Sequence, residues 1–454
     1  MKNVYKILVL ILWPFCLQAQ IETTLPSLTA THQATYINPA ILPTYSTSFS
    51  VPGVIANTSF NFIMNGFNAR TILNSVESDS NLSIPKFYDN LKGDKIEFDI
   101  ATNIELFHVR FKSKKWYYGF NLNTRTISNI RISKEFIGLA AYGNDYYAGS
   151  AWDVSNTSVT AIAFNELGFS MSRNYDRFNI GARAKLYHGI GVTQTNDLKL
   201  KLNQPKTPTE EVGIVAGGVI NTSSLPLLTD SINGRKATDD EKSFTEDNLY
   251  TLGNLGAGID LGVTYDVNNR LTVGASVVDF GFINWTENVY NYGINDVDVR
   301  TNGLNKEQLD NGQKQEEYFD SLFNQLKPTV TNKSFTTFMP WRFYLTANYN
   351  LNKRNTLGAI IQGRYLLGSI LPAYTLSYAH KFGDGFHLTA NYSIIGNSYA
   401  NVGLGWSLKM GPVHWYLVQD NILAYFNPDQ FQVLSFRMGL NLVFNEIKRP
   451  LKVY

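Results

Sequence analysis

The chain contains a single cysteine, Cys16. It falls in an N-terminal stretch patterned for export: Lys2 and Lys6 precede the apolar run Ile7–Leu12, and Ala19 stands before Gln20. This pattern predicts a secretory signal peptide over 1–19. Trp13-Pro14-Phe15 before Cys16 is a poor lipoprotein cleavage motif, so the mature chain is expected to lack cysteine, disulfides and thiolate chemistry. Beyond the signal, no apolar run approaches the roughly 18–20 residues of a spanning helix. An excess of one charge is missing too: the formal net charge is +2, and Lys2 and Lys6 account for it, so nothing suggests nucleic acid, for which a strongly basic face would be expected. No Pro/Ser-rich linker divides the sequence, so one large domain is expected.

Catalytic signatures are equally sparse. There is no P-loop, no Gly-x-Ser-x-Gly elbow and no His-Glu-x-x-His motif. Asp279-Phe280-Gly281 matches a kinase magnesium-binding triplet by letters only, with no phosphate loop or catalytic loop to accompany it. The six histidines, His32, His108, His188, His380, His387 and His414, show no ligand spacing. A Ser/His/carboxylate set cannot be assembled from sequence. The expectation is a protein that is not an enzyme and uses no cofactor or metal.

What the sequence does contain is a repeated short turn between alternating segments. The turns are Lys112–Lys115, Arg173–Asp176, Val267–Arg270, Asn352–Asn355, Gly383–Gly385 and Lys409–Gly411, and between those hairpins lie connections as long as Trp285–Pro340. Phe178, Ile180, Ala182, Ala184 and Leu186 alternate with Asn179, Gly181, Arg183 and Lys185, which gives one apolar and one polar or glycine face. Aromatics crowd the short turns (Phe111, Trp116, Phe178, Tyr265, Tyr349, Phe382, Phe386, Trp415), as the girdle of a membrane barrel requires. Short turns on one side and long loops on the other predict an all-β, 14-stranded antiparallel transmembrane β-barrel, with strands between 47 and 444. Pro52-Gly53 predicts a kink in the first strand. Long extracellular loops are expected at about 66–95, 133–156, 203–252 and 284–340. They should carry short helices, one of them after Asn305 with Phe319, Leu322, Phe323 and Leu326 on one face.

Tyr36-Ile37-Asn38-Pro39-Ala40, shortly before the first strand, resembles the Asn-Pro-Ala motif of the FadL-like barrels, the long-chain fatty acid transporters, and of PorV, the barrel attached to the type IX secretion translocon. Longer stretches carry a closer match: Leu139–Asn144, Asn165–Ser170, Asn179–Leu186 and Leu271–Trp285 look like an outer-membrane family known only as a domain of unknown function, distantly allied to both. The resemblance implies an N-terminal plug or hatch, residues 20–46, folded into the lumen, with Asn38, Pro39 and Ala40 as the hatch motif. It also implies the outer membrane of a Gram-negative bacterium, contact with outer-membrane lipid, and a periplasmic tail over 445–454. Lys448, Arg449 and Lys452 in that tail would be either solvated or held by a periplasmic partner.

Two functions stay open. One is a FadL-like barrel that binds or passes a hydrophobic small molecule, with Tyr146, Tyr147, Phe319 and Phe323 as a candidate apolar mouth. The other is a PorV-like accessory barrel that binds a protein secretion or surface machine without conducting solutes. Glu105, Arg125, Glu166, Arg183, Lys185, Asp260, Arg342, Arg364 and Arg437 fall on the lumen-facing phase as a candidate polar network. Its mixed signs favour a structural lock over a selective permeation path, which needs one sign at a constriction.

Overall fold

A computed structural model describes residues 22–42, 44–50, 57–76, 82–142, 149–203, 211–224, 253–301, 321, 324–366, 369–427 and 431–447. The strands are β1 (Tyr45–Ser50), β2 (Asn57–Asn65), β3 (Lys95–Ser113), β4 (Trp116–Ser133), β5 (Ala151–Asp153), β6 (Ser158–Tyr175) and β7 (Phe178–Asn203). They continue with β8 (Val212–Ser223), β9 (Leu255–Asp266), β10 (Leu271–Trp285), β11 (Val289–Thr301), β12 (Thr329–Thr331), β13 (Phe335–Phe338) and β14 (Arg342–Asn350). The last are β15 (Asn355–Leu366), β16 (Ser369–Phe382), β17 (Phe386–Ile395), β18 (Ser398–Met410), β19 (Val413–Gln419) and β20 (Val433–Glu446).

β1 and β2 act as one interrupted strand, as do β13 and β14, and with them the ring counts fourteen antiparallel strands. It closes where β20 pairs with both β1 and β2, at Thr47↔Phe444 and Phe60↔Phe436. Closure leaves no open edge in the wall, the condition for crossing a bilayer with strands. No described helix is long and apolar enough to cross. The expected barrel bounds of 47 and 444 fall two residues inside the observed ends at Tyr45 and Glu446. Pro52 and Gly53 lie outside the described residues, in the gap that separates β1 from β2.

The ring is inside-out relative to a water-soluble protein. On β7, Phe178, Ile180 and Leu186 are exposed while Asn179, Arg183 and Lys185 are buried, so the polar phase points into the lumen. Leu261, Leu376 and Tyr374 continue the outward apolar band, and Phe111, Phe178, Tyr349, Phe382 and Trp415 mark its boundary near the short turns. An apolar outer surface this extensive calls for lipid around it.

The long-loop side departs from expectation. Helices α1 (Ala69–Asn74), α2 (Ile84–Asn90) and α3 (Lys134–Tyr142) are the short helices foreseen. They pack Phe67, Leu91 and Ile137 with Met64 and Ile96 of the wall into an apolar cap. The stretches 203–252 and 284–340, expected as loops with helices, instead carry strands. β7 runs past the ring and pairs with β8, β8 with β11, and β11 with β12, around Val212, Ile214 and Ala216. Gly213 and Gly217–Gly218 in β8 hid its strand character from a reading of pattern alone. The helix expected after Asn305 lies mostly outside the described residues.

The outward phase makes a direct prediction. Leu261→Arg places a charge on the lipid face near mid-wall and should destabilise the barrel by about 2–4 kcal/mol in reversible urea unfolding from lipid vesicles. Leu261→Ala should cost much less.

Candidate functional site

The centre of the lumen is built around one bulge. On β10 the pairing to β9 steps from Val277↔Leu261 to Phe280↔Ile259, so Val278 and Asp279 both turn inward. Asp279 takes φ +62°, a left-handed conformation that aspartate tolerates better than most residues. Its Oδ1 accepts from Arg125 Nη1 at 2.8 Å and Lys185 Nζ at 2.5 Å. Its Oδ2 accepts from Arg125 Nη2 at 3.1 Å and Arg342 Nη2 at 2.6 Å. One carboxylate thereby ties β4, β7 and β14 together across the lumen. Glu166 accepts from Arg125 at 2.6 Å, and Asp260 lies 2.9 Å from Lys185 and 3.2 Å from Arg183. Asp260 also accepts the Asp279 backbone N–H at 2.7 Å, which holds the bulge in place. A cavity of about 20 Å³, room for a single water, is all that remains inside this cluster.

The N-terminal segment completes it from within. Glu22 accepts from Arg437 and lies 3.8 Å from Arg342. Asp420, at the long-loop end of β19, accepts from Thr23 N at 3.1 Å, Thr23 Oγ1 at 2.9 Å and Thr24 N at 2.7 Å. Two 3-10 turns follow, Leu25–Ser27 and His32–Tyr36, and nearly all of residues 22–42 are buried. Gln33 and Asn441 exchange amide hydrogen bonds, and Tyr36 donates to Glu105 at 2.5 Å beneath the Arg183 guanidinium. Asn38 donates to the carbonyls of Val263 and Ala275 and accepts from Ala40 N at 2.9 Å, so it bridges β9, β10 and its own turn. The wall is shaped for this turn: a Cβ on Gly181 would stand 2.3 Å from the Pro39 carbonyl carbon, and one on Gly262 2.0 Å from Asn38 Oδ1.

The network expected from sequence is brought together in part. Arg125, Glu166, Arg183, Lys185, Asp260, Arg342 and Arg437 belong to the central cluster or its Glu22 extension. Arg364 stands apart, paired with Asp99 at 2.6 Å, and Glu105 forms a separate group with Tyr36, Asn57 and His108. Lys381, which shares their phase, is exposed at a short turn instead. Asp279 was passed over because its Asp-Phe-Gly letters pointed to chance. The legible signal was the slip of the apolar phase from Val277 to Phe280, the mark of a bulge. Glu22, Asp99 and Asp420 also escaped. Glu22 lies outside any strand, and Asp420 just past one. Tyr146, Tyr147, Phe319 and Phe323 lie outside the described residues, as do 1–19 and 448–454.

The fold also assembles a Ser/His/carboxylate set that sequence reading did not find. Ser48 Oγ lies 3.5 Å from His108 Nε2, and His108 Nδ1 is 2.5 Å from Glu105. His32 stacks on His108 at 3.7 Å between ring centres, and all three members are buried. Glu105 is shared with Tyr36 and Asn57, so the set helps to seat the N-terminal segment.

Above the central charges, toward the long loops, one part of the lumen turns apolar, while Asp99, paired with Arg364 at 2.6 Å, keeps another part charged. Ile127, Ile162, Phe164, Tyr187, Ile283, Trp285 and Met339 form a buried cluster. Trp285 lies against Gly189, where a Cβ would come within 2.4 Å of its ring, and donates to Thr337 at 3.0 Å. Met339 sits where β13 breaks from β14, opposite the Asp279 bulge. The regular pairing to β10 lapses there between Phe282↔Phe338 and Val278↔Arg342, with Met339 N–H still donating to the Gly281 carbonyl at 2.9 Å.

A closed membrane barrel with a folded N-terminal segment in a charged lumen defines the class, that of the outer-membrane β-barrels. Residues 39–420 match the model of a family of unknown function, DUF5723, and the chain belongs to that family. No curated protein matches the chain in sequence. Among solved structures it is similar to a FadL homologue of Pseudomonas aeruginosa, at 10% identity over 95% of this chain and 100% of that one, with a TM-score of 0.46. It is also similar to the toluene transporter TbuX of Ralstonia pickettii, at 9% identity over 94% and 97% of the two chains and a TM-score of 0.40. The P. putida toluene transporter TodX follows, at 10% identity over 90% and 92%, with a TM-score of 0.38.

Two outcomes follow from the site. Asp279→Ala leaves Arg125, Lys185 and Arg342 without their shared anion and should cost about 3–5 kcal/mol of barrel stability, measured by denaturant unfolding. Burial, ahead of the neighbouring His108 and Arg110, holds His32 well below its ordinary value, so it is neutral near pH 7. Because the unfolded histidine binds the proton more readily, the seat of the segment is firm above the ordinary value of 6.5 and weakens as pH falls below it. Protection of residues 22–42 against hydrogen exchange, taken relative to the intrinsic exchange rate at each pH, should fall from pH 7 to pH 5, and His32→Gln should flatten that response.

Proposed function

We propose that this barrel takes up a hydrophobic small molecule across the outer membrane of a Gram-negative bacterium, after export by the signal peptide at 1–19. The observation that carries this reading is the layering of the lumen. A water-filled pore needs a polar lining, whereas here part of the half toward the long loops is filled by the buried, packed side chains of Phe164, Ile162, Ile283 and Trp285. Such a layer suits an uncharged, apolar molecule arriving from the loops. The buried ion pairs beneath it oppose passage of that molecule and of hydrated ions alike. Residues 20–46 serve as the hatch, with Asn38, Pro39 and Ala40 seating it on the wall.

A molecule held beside Met339 need not cross the charges. The wall between 279–281 and 339–341 lies next to it, thinned among the described residues to one backbone bond from Met339 N–H to the Gly281 carbonyl at 2.9 Å, with Phe280 and Phe338 exposed on the lipid face. Sideways release into lipid there would keep the ion pairs intact. A second reading, an accessory barrel closed to solutes that binds a secretion or surface machine, is favoured by the close packing of the described lumen.

Vesicles containing the purified barrel test the two readings. Uptake of an uncharged fluorescent apolar probe should exceed that of empty vesicles, without steady ion conductance. Trp285→Ala should change that uptake several-fold while leaving the bilayer sealed to ions. Uptake no faster than in empty vesicles, together with a stoichiometric protein companion in native mass spectra from the parent membrane, would support the accessory barrel.

A further inference from the structure

The short-turn rim of the barrel carries a surplus of positive charge. Every one of the six short turns presents a basic side chain: Lys115, Arg177, Arg270, Arg354, Lys381 and Lys409. Further basic residues on the first, second and fourth turns raise the rim to ten, against the carboxylates of Asp176, Asp266, Asp384 and Glu446. Lys409 is held by Glu446 at 2.6 Å, and Asp266 accepts from Thr272 at 2.8 Å, while Lys115, Arg177, Arg270, Arg354 and Lys381 are exposed. The surplus falls on the first, second and fourth turns, by three, one and two charges, while the other three turns balance one cation with one carboxylate, so the rim as a whole is basic beyond any local pair.

Its position says what it meets. The turns lie just beyond the aromatic boundary of the lipid-facing band, with Phe111, Phe178, Tyr349, Phe382 and Trp415 exposed beside them. Arg173 lies over the rings of Trp116 and Tyr175, so cation and aromatic share one level of the wall. That is the depth of phosphate headgroups, where each nearby Lys or Arg is worth about 1 kcal/mol toward an anionic leaflet, roughly a fivefold preference. We propose that the short-turn rim is a binding surface for the phosphodiester headgroups of anionic phospholipid in the leaflet that surrounds it. The ring of cations gathers such lipids around the barrel and fixes its depth. The surface is independent of whether the lumen conducts.

Quenching of tryptophan fluorescence by brominated lipids reads this directly, because Trp116 and Trp415 lie at that rim. In mixed vesicles, brominated phosphatidylglycerol should quench the full-length protein about fivefold more effectively than brominated phosphatidylethanolamine at equal mole fraction. The preference should fall toward parity at about 1 M salt, where exposed charges are screened within a few ångströms. The combined variant Lys115→Gln, Arg177→Gln, Arg270→Gln, Arg354→Gln and Lys381→Gln should lose it. The salt titration needs no variant and stands if that one fails to insert. Equal quenching by the two lipids, a preference untouched by salt, or an acidic protein retained on this rim from native membrane in place of the lipid would overturn the proposal.

Discussion

A bilayer offers no partner to a backbone N–H or C=O, and from that constraint the rest of this structure follows. Each strand must satisfy its ladder on both sides, so the sheet must close, and it does so where β20 meets β1 and β2. Closure gives the wall two unlike faces, one toward lipid and one toward a lumen too narrow to leave empty. The lipid face takes Leu261, Leu376 and their neighbours. The lumen must then be filled by whatever the inward phase supplies.

Here the filling comes in two layers, with a segment threaded through one of them. Buried charge is costly unless it is paired and hydrogen-bonded. Arg125, Lys185 and Arg342 meet that condition by sharing Asp279, which reaches them only because β10 bulges. The N-terminal segment brings Glu22 to Arg437 and Arg342, so the segment and the charged layer each depend on the other. The apolar layer around Trp285 needs no such compensation and packs as a core.

Much of the fold was legible because its signals are local. Fourteen strands, the six short turns and the aromatic boundary all rest on a two-residue period and on turn chemistry, which a single sequence displays. Of the site, the inward phase of Arg125, Glu166, Arg183, Lys185, Asp260, Arg342 and Arg437 could be read in the same way. The partner of each could not, because phase gives the face but not the height or the neighbour across a lumen. The same blindness separated Arg364 and Glu105 from the cluster they were expected to join, and left Ser48, His108 and Glu105 unassembled. The strands β8, β11 and β12 were missed where glycines and bulges broke the alternation.

By itself, then, the sequence determined that the chain alternates, turns tightly throughout one side while the other side is long mainly in the first half, and turns its apolar face outward; those are properties of neighbours along the chain. The tertiary structure alone decided that Asp279 is the hub, that Glu22 and Asp420 anchor the N-terminal segment, and that Gly181 and Gly262 make room for Asn38 and Pro39. These contacts join residues separated by tens to hundreds of positions, and only ring closure brings them within hydrogen-bonding distance.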